Sequence, residues 1–234
     1  MPNTKVMGIL NITPDSFSDG GQYSNPDEAL RHAREMIGAG ASILDIGAES
    51  TRPGASPVDL DEEAARLEPI LARAVKFRSF GCLLSIDTSK PEIARQCLSR
   101  GFNIVNDVTG LTNPKMREVV KEFGCSAVVM HQGPGSIEDI RQFFKNQIEL
   151  CVSEGIKSTQ LIIDPGLGFG KTPEQNWEIV TKLNCRVGGQ PLLIGPSRKS
   201  FSDGKKKYTT ADTIRVAWGI ADIIRLHDLS LLRT

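Results

Sequence analysis

Polar groups that can bind or react stand at the ends of eight short apolar runs. Asn11 closes the first, Asp45 and Glu49 the second, Asp87 the third, and Asn106 with Asp107 the fourth. His131, Asp164, Ser197 with Lys199, and Arg225 with His227 close the other four. Several of these groups are flat and suited to an edge. A carboxylate such as Asp87 or Asp164 accepts two adjacent N–H donors, and the Asn106 amide both donates and accepts, so together they suit a planar heterocycle. Arg225 is a planar cation able to stack on such a ring or to grip an anion. In "PSRKSF", Arg198, Lys199 and Ser200 stand where a following helix is expected to begin. Helix N-termini and nearby cations favour phosphates and carboxylates. In "NITPDSFSD" two acids and an asparagine suit a hard cation that keeps most of its water and phosphate ligands. The combined chemistry is that of a site for a polar heterocycle carrying a phosphorylated group.

Each piece also has a plainer reading. Asp87 in "SIDTSKP" would serve as the cap of a helix starting near Pro91, and Asn106 and Asp107 would serve as turn formers. His131 and His227 read equally as satisfied structural histidines, and His32 as a helix-surface residue. "DPGLGFGK", residues 164 to 171, is glycine-rich but lacks the spacing of a phosphate-binding P-loop. The three histidines give neither a Ser/His/Asp order nor an H-E-x-x-H zinc motif.

The runs that must position these groups are "VMGILNIT", "SILDIGAES", "CLLSIDTS", "FNIVNDVT", "SAVVMHQG", "QLIIDPGLG", "PLLIGPSRK" and "DIIRLHD". Each is nearly continuous in its apolar part, the pattern of parallel strands buried on both faces. Helical segments alternate with them. "NPDEALRHAREMIGAG" offers Asn25 as N-cap, Pro26 at the first position, and acids in the first turn. "NPKMREVVKEFG" repeats the device with Asn113, Pro114 and Gly124, and "SIEDIRQFF" opens with a Ser136–Asp139 capping box. "TPEQNWEIVTKL" carries Thr172 and Pro173, and Leu60 to Phe77 is helical in pattern with a kink expected at Pro69.

Eight such alternations predict an α/β fold, a (β/α)8 TIM barrel forming a single domain over residues 1–234. A doubly wound open sheet is the alternative. The barrel gathers all eight polar strand ends around one mouth, whereas an open sheet spreads them along an edge. Hydrophobic residues at 39% are enough for that core, and 28 basic residues against 28 acidic ones leave no global field for nucleic acid or an anionic membrane. No window approaches a membrane span, and "MPNTKVMG" holds no apolar signal core. Five scattered cysteines without a C-x-x-C read as free thiols in a reducing cytoplasm, packed as small core hydrophobes.

Taken together, "GILNITPDSFSDGG", "DIGAESTRPGA", "SIDTSKP", "IVNDVTG", "LIIDPGLGFGKT", "SRKSF" and "IIRLHD" closely resemble the dihydropteroate synthase family, in the same order, from about Val6 to Asp228. The resemblance implies a transferase of folate biosynthesis, the sulfonamide target. Such enzymes condense 7,8-dihydropterin-6-ylmethyl diphosphate with 4-aminobenzoate to give 7,8-dihydropteroate and diphosphate. Residue by residue, it implies that Asp87, Asn106, Asp164 and Lys199 hold the pterin and that Arg225 covers one of its faces. Asn11, Arg225 and His227 would bind the diphosphate, with Asn11 also touching the cofactor Mg2+. The loop carrying Asp19 and Phe17 would close over the loaded site, Asp19 stabilising positive charge and Phe17 walling the aminobenzoate pocket. Thr51, Arg52, Pro53, Phe169 and Lys199 would complete that pocket, and Ser200, at a helix start, would receive the aminobenzoate carboxylate. The reaction implied is ionisation of the diphosphate followed by arylamine attack.

The chain departs from the family in two places. Between Lys199 and Arg225 it is several residues shorter than the family leads one to expect, with "SDGKKKYTTADTIRVAWG" in place of the usual loop and helix start. After "RLHDL" only "SLLRT" follows, so a shortened C-terminal helix is expected, with the seventh helix, roughly 210 to 219, loosely held. The implied partners are small molecules and, through the last helices, a second copy of the chain, which this short end leaves open. The rival classes are the methyltetrahydrofolate-binding methyltransferase barrels, which lack "TPDSFSDG" and "SRKS", and a pterin-binding barrel without turnover.

Overall fold

The computed structural model describes residues 4–12, 26–49, 58–182 and 185–233. Asp19, Phe17, Thr51, Arg52 and Pro53, all singled out by sequence, and the cap Asn25 lie outside the described residues.

The strands are β1 (Lys5–Asn11), β2 (Ile43–Gly47), β3 (Leu83–Asp87), β4 (Ile104–Asp107), β5 (Ser126–Met130), β6 (Leu161–Asp164), β7 (Leu193–Ile194) and, after a short hairpin, β10 (Ile223–Leu226). They pair in parallel in the order β6-β5-β4-β3-β2-β1-β10-β7. A parallel bridge between Ile163 and Leu192, with the Ile163 N–H on the Pro191 carbonyl at 2.9 Å, brings β7 back to β6 and closes the ring. That closure decides for the barrel over the open sheet.

Side chains in a strand alternate between faces, and here the alternation divides the core in two. Met7, Ile43, Ile104, Val128, Ile162, Leu193 and Ile223 meet inside the barrel as one apolar layer. Their neighbours Leu44, Val105, Val129, Ile163, Ile194 and Ile224 pack outward against the helices. Two residues beyond the apolar layer, the same inward face carries Asp45, Asn106, Met130, Asp164 and Arg225, all but Asp45 lining a cavity at the strands' C-terminal ends.

The helices are α1 (Pro26–Gly38), α2 (Leu60–Leu71), α3 (Ala74–Arg78), α4 (Pro91–Ser99), α5 (Pro114–Phe123), α6 (Ile137–Ser153), α7 (Pro173–Lys182) and α8 (Thr210–Ala217). Their caps follow the sequence. Asn113 accepts from the Lys115 N–H, Ser136 and Asp139 form the reciprocal box, and Thr172 exchanges bonds with Gln175. The pattern from Leu60 to Phe77 splits into α2 and α3, breaking at 72–73 rather than kinking at Pro69. Pro69 lies within the last turn of α2, so the turn is completed before the break.

A second expectation is corrected. No helix begins at Ser200: the chain enters an antiparallel hairpin of β8 (Phe201–Ser202) and β9 (Lys207–Tyr208). Asp203 directs it, its carboxylate accepting from the Lys205 and Lys206 N–H groups at 2.8 and 2.7 Å and from the Tyr208 hydroxyl at 2.7 Å. Tyr208 stacks on Trp177 of α7, ring centroids 3.6 Å apart. The helix waits for the Thr209–Asp212 capping box and starts at Thr210. It buries Thr213, Ile214 and Ala217, packing on α7 and on the closing 3-10 turn, Leu229–Arg233.

Candidate active site

Strand parity sets the floor of the site. Arg225, inward on β10, donates through Nε to Asp45 Oδ2 at 2.6 Å and through Nη2 to Asp87 Oδ2 at 2.5 Å. Both bonds lie in the guanidinium plane, so the flat faces remain for stacking. Asn106 Nδ2 donates to the same Asp45 oxygen at 2.9 Å. One fully buried carboxylate on β2 thus holds groups from β4 and β10, and Arg225 links it to β3. Buried charges are tolerated when paired, and this pairing uses one oxygen of each acid. Asp45 Oδ1, Asp87 Oδ1 and Ser85 Oγ are sealed from solvent without a hydrogen-bond partner among the described residues.

Asp164 completes the floor from β6, accepting from the Gly166 N–H at 2.8 Å. Burial raises its carboxyl above the usual range, opposed by that N–H and by Arg225. Burial likewise raises Asp87, with Arg225 pulling the other way and the Asp45 carboxylate adding to the rise. Arg225 keeps its charge despite burial because Asp45 and Asp87 favour it.

The rim is built by the loops after β6 and β7. Gly168 has φ of 76°, the left-handed region that favours glycine, and a Cβ there would stand 2.4 Å from Lys199 Cδ, so a larger residue would strain the loop and displace the lysine. Lys199 Nζ sits 4.4 Å from the centre of the Phe169 ring, a cation–π distance. Buried Asn176 of α7 ties the two loops, its Oδ1 accepting from the Gly168 N–H at 2.9 Å and its Nδ2 donating to the Ser200 carbonyl at 3.0 Å. Beneath them Lys171 is buried, its ammonium donating to the carbonyls of His131, Gly133 and Gly166 at 3.2, 3.2 and 3.1 Å. Burial lowers Lys171 to about 8 and, with Lys171 alongside, lowers His131 to about 4. Ser197 Oγ, on the same loop as Lys199, stands 3.0 Å from His227 Nδ1 and orients that ring just past the neighbouring strand β10.

Among the described residues, Asn11, Asp87, Asn106, Asp164, Phe169, Lys199, Ser200, Arg225 and His227 all line one cavity of about 680 Å³. The plainer readings are thereby sorted. Asp87 faces Arg225, and it is Thr88 Oγ1 that accepts from the Lys90 N–H. Asn106 faces the cavity, while Asp107, one residue on, points outward and folds the next turn through Thr109 and Leu111. His131 packs edge-on to Phe143 beside Lys171, a structural role. His32 pairs with Glu35 on the surface of α1. All five cysteines are free and all but Cys82 are buried. Sequence reasoning gave Asp45 no site role and passed over Asn176 and Lys171. Their signal is weak because each acts on other protein groups; only the parity of Asp45 with Asp87 and Asn106 hinted at it.

A closed parallel barrel whose polar strand ends ring one cavity defines a class, the barrel enzymes that work at the C-terminal ends of their strands. The sequence model of the family described as pterin binding enzyme matches residues 7–223, and the chain belongs to that family. Within it the similar proteins are dihydropteroate synthases. That of Synechocystis sp. is 40% identical, the match covering 98% of this chain and 86% of the relative. The Xanthomonas albilineans dihydropteroate synthase solved with 4-aminobenzoic acid superposes with a TM-score of 0.86 at 33% identity, covering 98% of this chain and 89% of that one. The Anaplasma phagocytophilum enzyme with bound 6-hydroxymethylpterin-monophosphate gives 0.83 at 33% identity, covering 98% and 95%.

Proposed function

We propose that this barrel is a dihydropteroate synthase, joining 7,8-dihydropterin-6-ylmethyl diphosphate to 4-aminobenzoate with release of diphosphate. The supporting observation is the convergence of Asp87, Asn106, Asp164, Lys199 and Arg225 on one cavity wide enough for both substrates.

In this reading the carboxylates of Asp87 and Asp164 and the amide of Asn106 take the polar edge of the pterin. Arg225, fixed edge-on by two acids, lays a face on the ring, and Lys199 closes the site toward Phe169. His227 and Arg225 meet the diphosphate. The pterin methylene loses diphosphate first, and the arylamine nitrogen, neutral at ordinary pH, then adds and releases its proton. No strong base is required. The residues instead stabilise departing negative charge and exclude water from the cation. The family resemblance assigns Phe17, Thr51, Arg52, Pro53, Phe169, Lys199 and Ser200 to aminobenzoate, and Asp19 to support of the cation. Ser200 would act from the mouth of the hairpin, without a helix dipole behind it.

Among the described residues no three His, Cys, Asp or Glu side chains gather into a metal cage. One amide oxygen, that of Asn11 at the cavity edge, fits Mg2+ that is otherwise ligated by diphosphate and water. When bound there, Mg2+ offsets the charge of the diphosphate. No helix among the described residues is long and apolar enough to cross a membrane, and free thiols suit the reducing cytoplasm where we place the enzyme.

The direct test supplies the pterin diphosphate, Mg2+ and 4-aminobenzoate and follows diphosphate release. Release that depends on the arylamine is expected; tight pterin binding without product would make the protein a binder instead. Asp164→Ala should abolish pterin binding in calorimetry, whereas Asp19→Ala should spare it and lower turnover by about 10²–10³, the cost of one preorganised charge contact.

A further inference from the structure

Asp45 lies under the cavity rather than in its wall, fully buried, yet both groups that grip its Oδ2 reach the cavity. A carboxylate facing two donors acts only as an acceptor. Turning the Asn106 amide over would press its Oδ1 against Asp45 Oδ2, two acceptors in contact where no solvent screens them. Asn106 is therefore held with its NH2 group inward. What it offers the cavity is Oδ1, an acceptor, beside its second N–H, a donor.

We propose that Asp45 is a positioning residue that sets the hydrogen-bond polarity of Asn106 and so selects rings presenting an N–H next to an acceptor. The proposal rests on the reading of the cavity as a pterin site. A 2-amino-4-oxopteridine supplies that pattern at its amino group and neighbouring ring nitrogen. A 2,4-dioxopteridine also has N–H groups beside carbonyls, but in the same seat it sets its C2 carbonyl against Asn106 Oδ1 and a ring N–H against the amide N–H, and is disfavoured. Replacing Asp45 by asparagine, nearly the same shape, puts a donor opposite Asn106 and lets the amide turn to accept either ring.

The test measures affinities of 6-hydroxymethylpterin and 6-hydroxymethyllumazine by calorimetry for the unaltered protein, Asp45→Asn, Asn106→Ala and the double variant. The unaltered protein should prefer the pterin, and Asp45→Asn should shrink that preference by about tenfold or more, the size of one mismatched hydrogen bond. In the Asn106→Ala background the same change should move the preference by less than about twofold. Equal weakening of both rings by Asp45→Asn would mark a merely structural carboxylate and overturn the proposal. So would equal binding of the two rings by the unaltered protein, or an undiminished effect without Asn106. Binding of neither ring to the unaltered protein would remove the pterin reading and this proposal with it. Binding of the pterin with an unchanged preference in Asp45→Asn would remove the proposal alone. Should a variant not fold, the unaltered protein crystallised with 6-hydroxymethylpterin decides. The ring amino nitrogen must face Asn106 Oδ1 while Nδ2 stays on Asp45, and a ring carbonyl or unprotonated nitrogen there overturns the assignment.

Discussion

The two ends of the barrel interior come from the same strands. On β2, Ile43 belongs to the apolar layer and Asp45 to the polar floor; on β4 the pair is Ile104 and Asn106, on β6 Ile162 and Asp164, on β10 Ile223 and Arg225. Each pair is two residues apart and shares one face. The lower layer is plain packing, whose removal leaves a void. In the upper layer the acids are as deeply buried, with Asp45 at 0% exposure and Asp164 at 7%, while Arg225 is part-buried at the cavity, and the layer carries charge that packing alone does not stabilise. A barrel thus concentrates stability at one end and stored electrostatic cost at the other, and the cost is tolerable only because the charges hold one another. The lesson is that inward polar residues beside an apolar layer deserve a functional reading even when sealed from solvent.

Arg225→Met should break the comparison hardest. It leaves Asp45 and Asp87 buried without their cation, and a loss of about 3–5 kcal/mol in urea unfolding is expected. An unchanged midpoint would mean that the acids are not held in place by Arg225. Ile162→Ala, one layer down, should cost about 2–5 kcal/mol through its cavity, while the folded fraction keeps the unaltered pterin affinity in calorimetry. A large affinity loss there would erase the division between layers. Asn176→Ala sharpens the view of the rim. It removes the bonds to Gly168 and Ser200 at a cost of about 1–3 kcal/mol, and steady-state kinetics should show a raised KM for the arylamine more than for the pterin.

The smallest expected effect is pH dependence. Asp87 and Asp164 are both raised by burial, so pterin affinity should begin to fall, as acid is added, well above the ordinary aspartate value of about 3.9. A protonated carboxyl no longer accepts two N–H donors. In the free protein the sign is opposite: the folded state binds these protons more readily than the unfolded one. Their contribution to stability is therefore present in acid and lost as pH rises through the raised values. Affinity that stays flat down to about pH 4 would contradict the burial argument.

Much of this molecule was legible from local rules. Asn113, Ser136 and Thr172 cap the helices they were expected to cap, because a cap is a contact between residues close in the chain. The strand ends carried their polar groups in plain view. The hairpin at Asp203 is less legible: "SDGK" is turn chemistry, but cations directly after a strand equally suit a helix start. Asp45 stands in plain view at its strand end, but its role is not legible there, since its partners lie 61 and 180 residues away.

The amino-acid sequence by itself determined the alternation of buried strands and capped helices, the polar residue types at each strand end, and the family they resemble. Tertiary structure alone decided that β6 meets β7, that Asn106 faces in while Asp107 faces out, and that Asp45 is the common anchor of Asn106 and Arg225. The first set depends on neighbours within a turn or a strand. The second depends on which distant backbones pair and in what register, and a one-residue slip in that pairing would send every one of these groups to the opposite face.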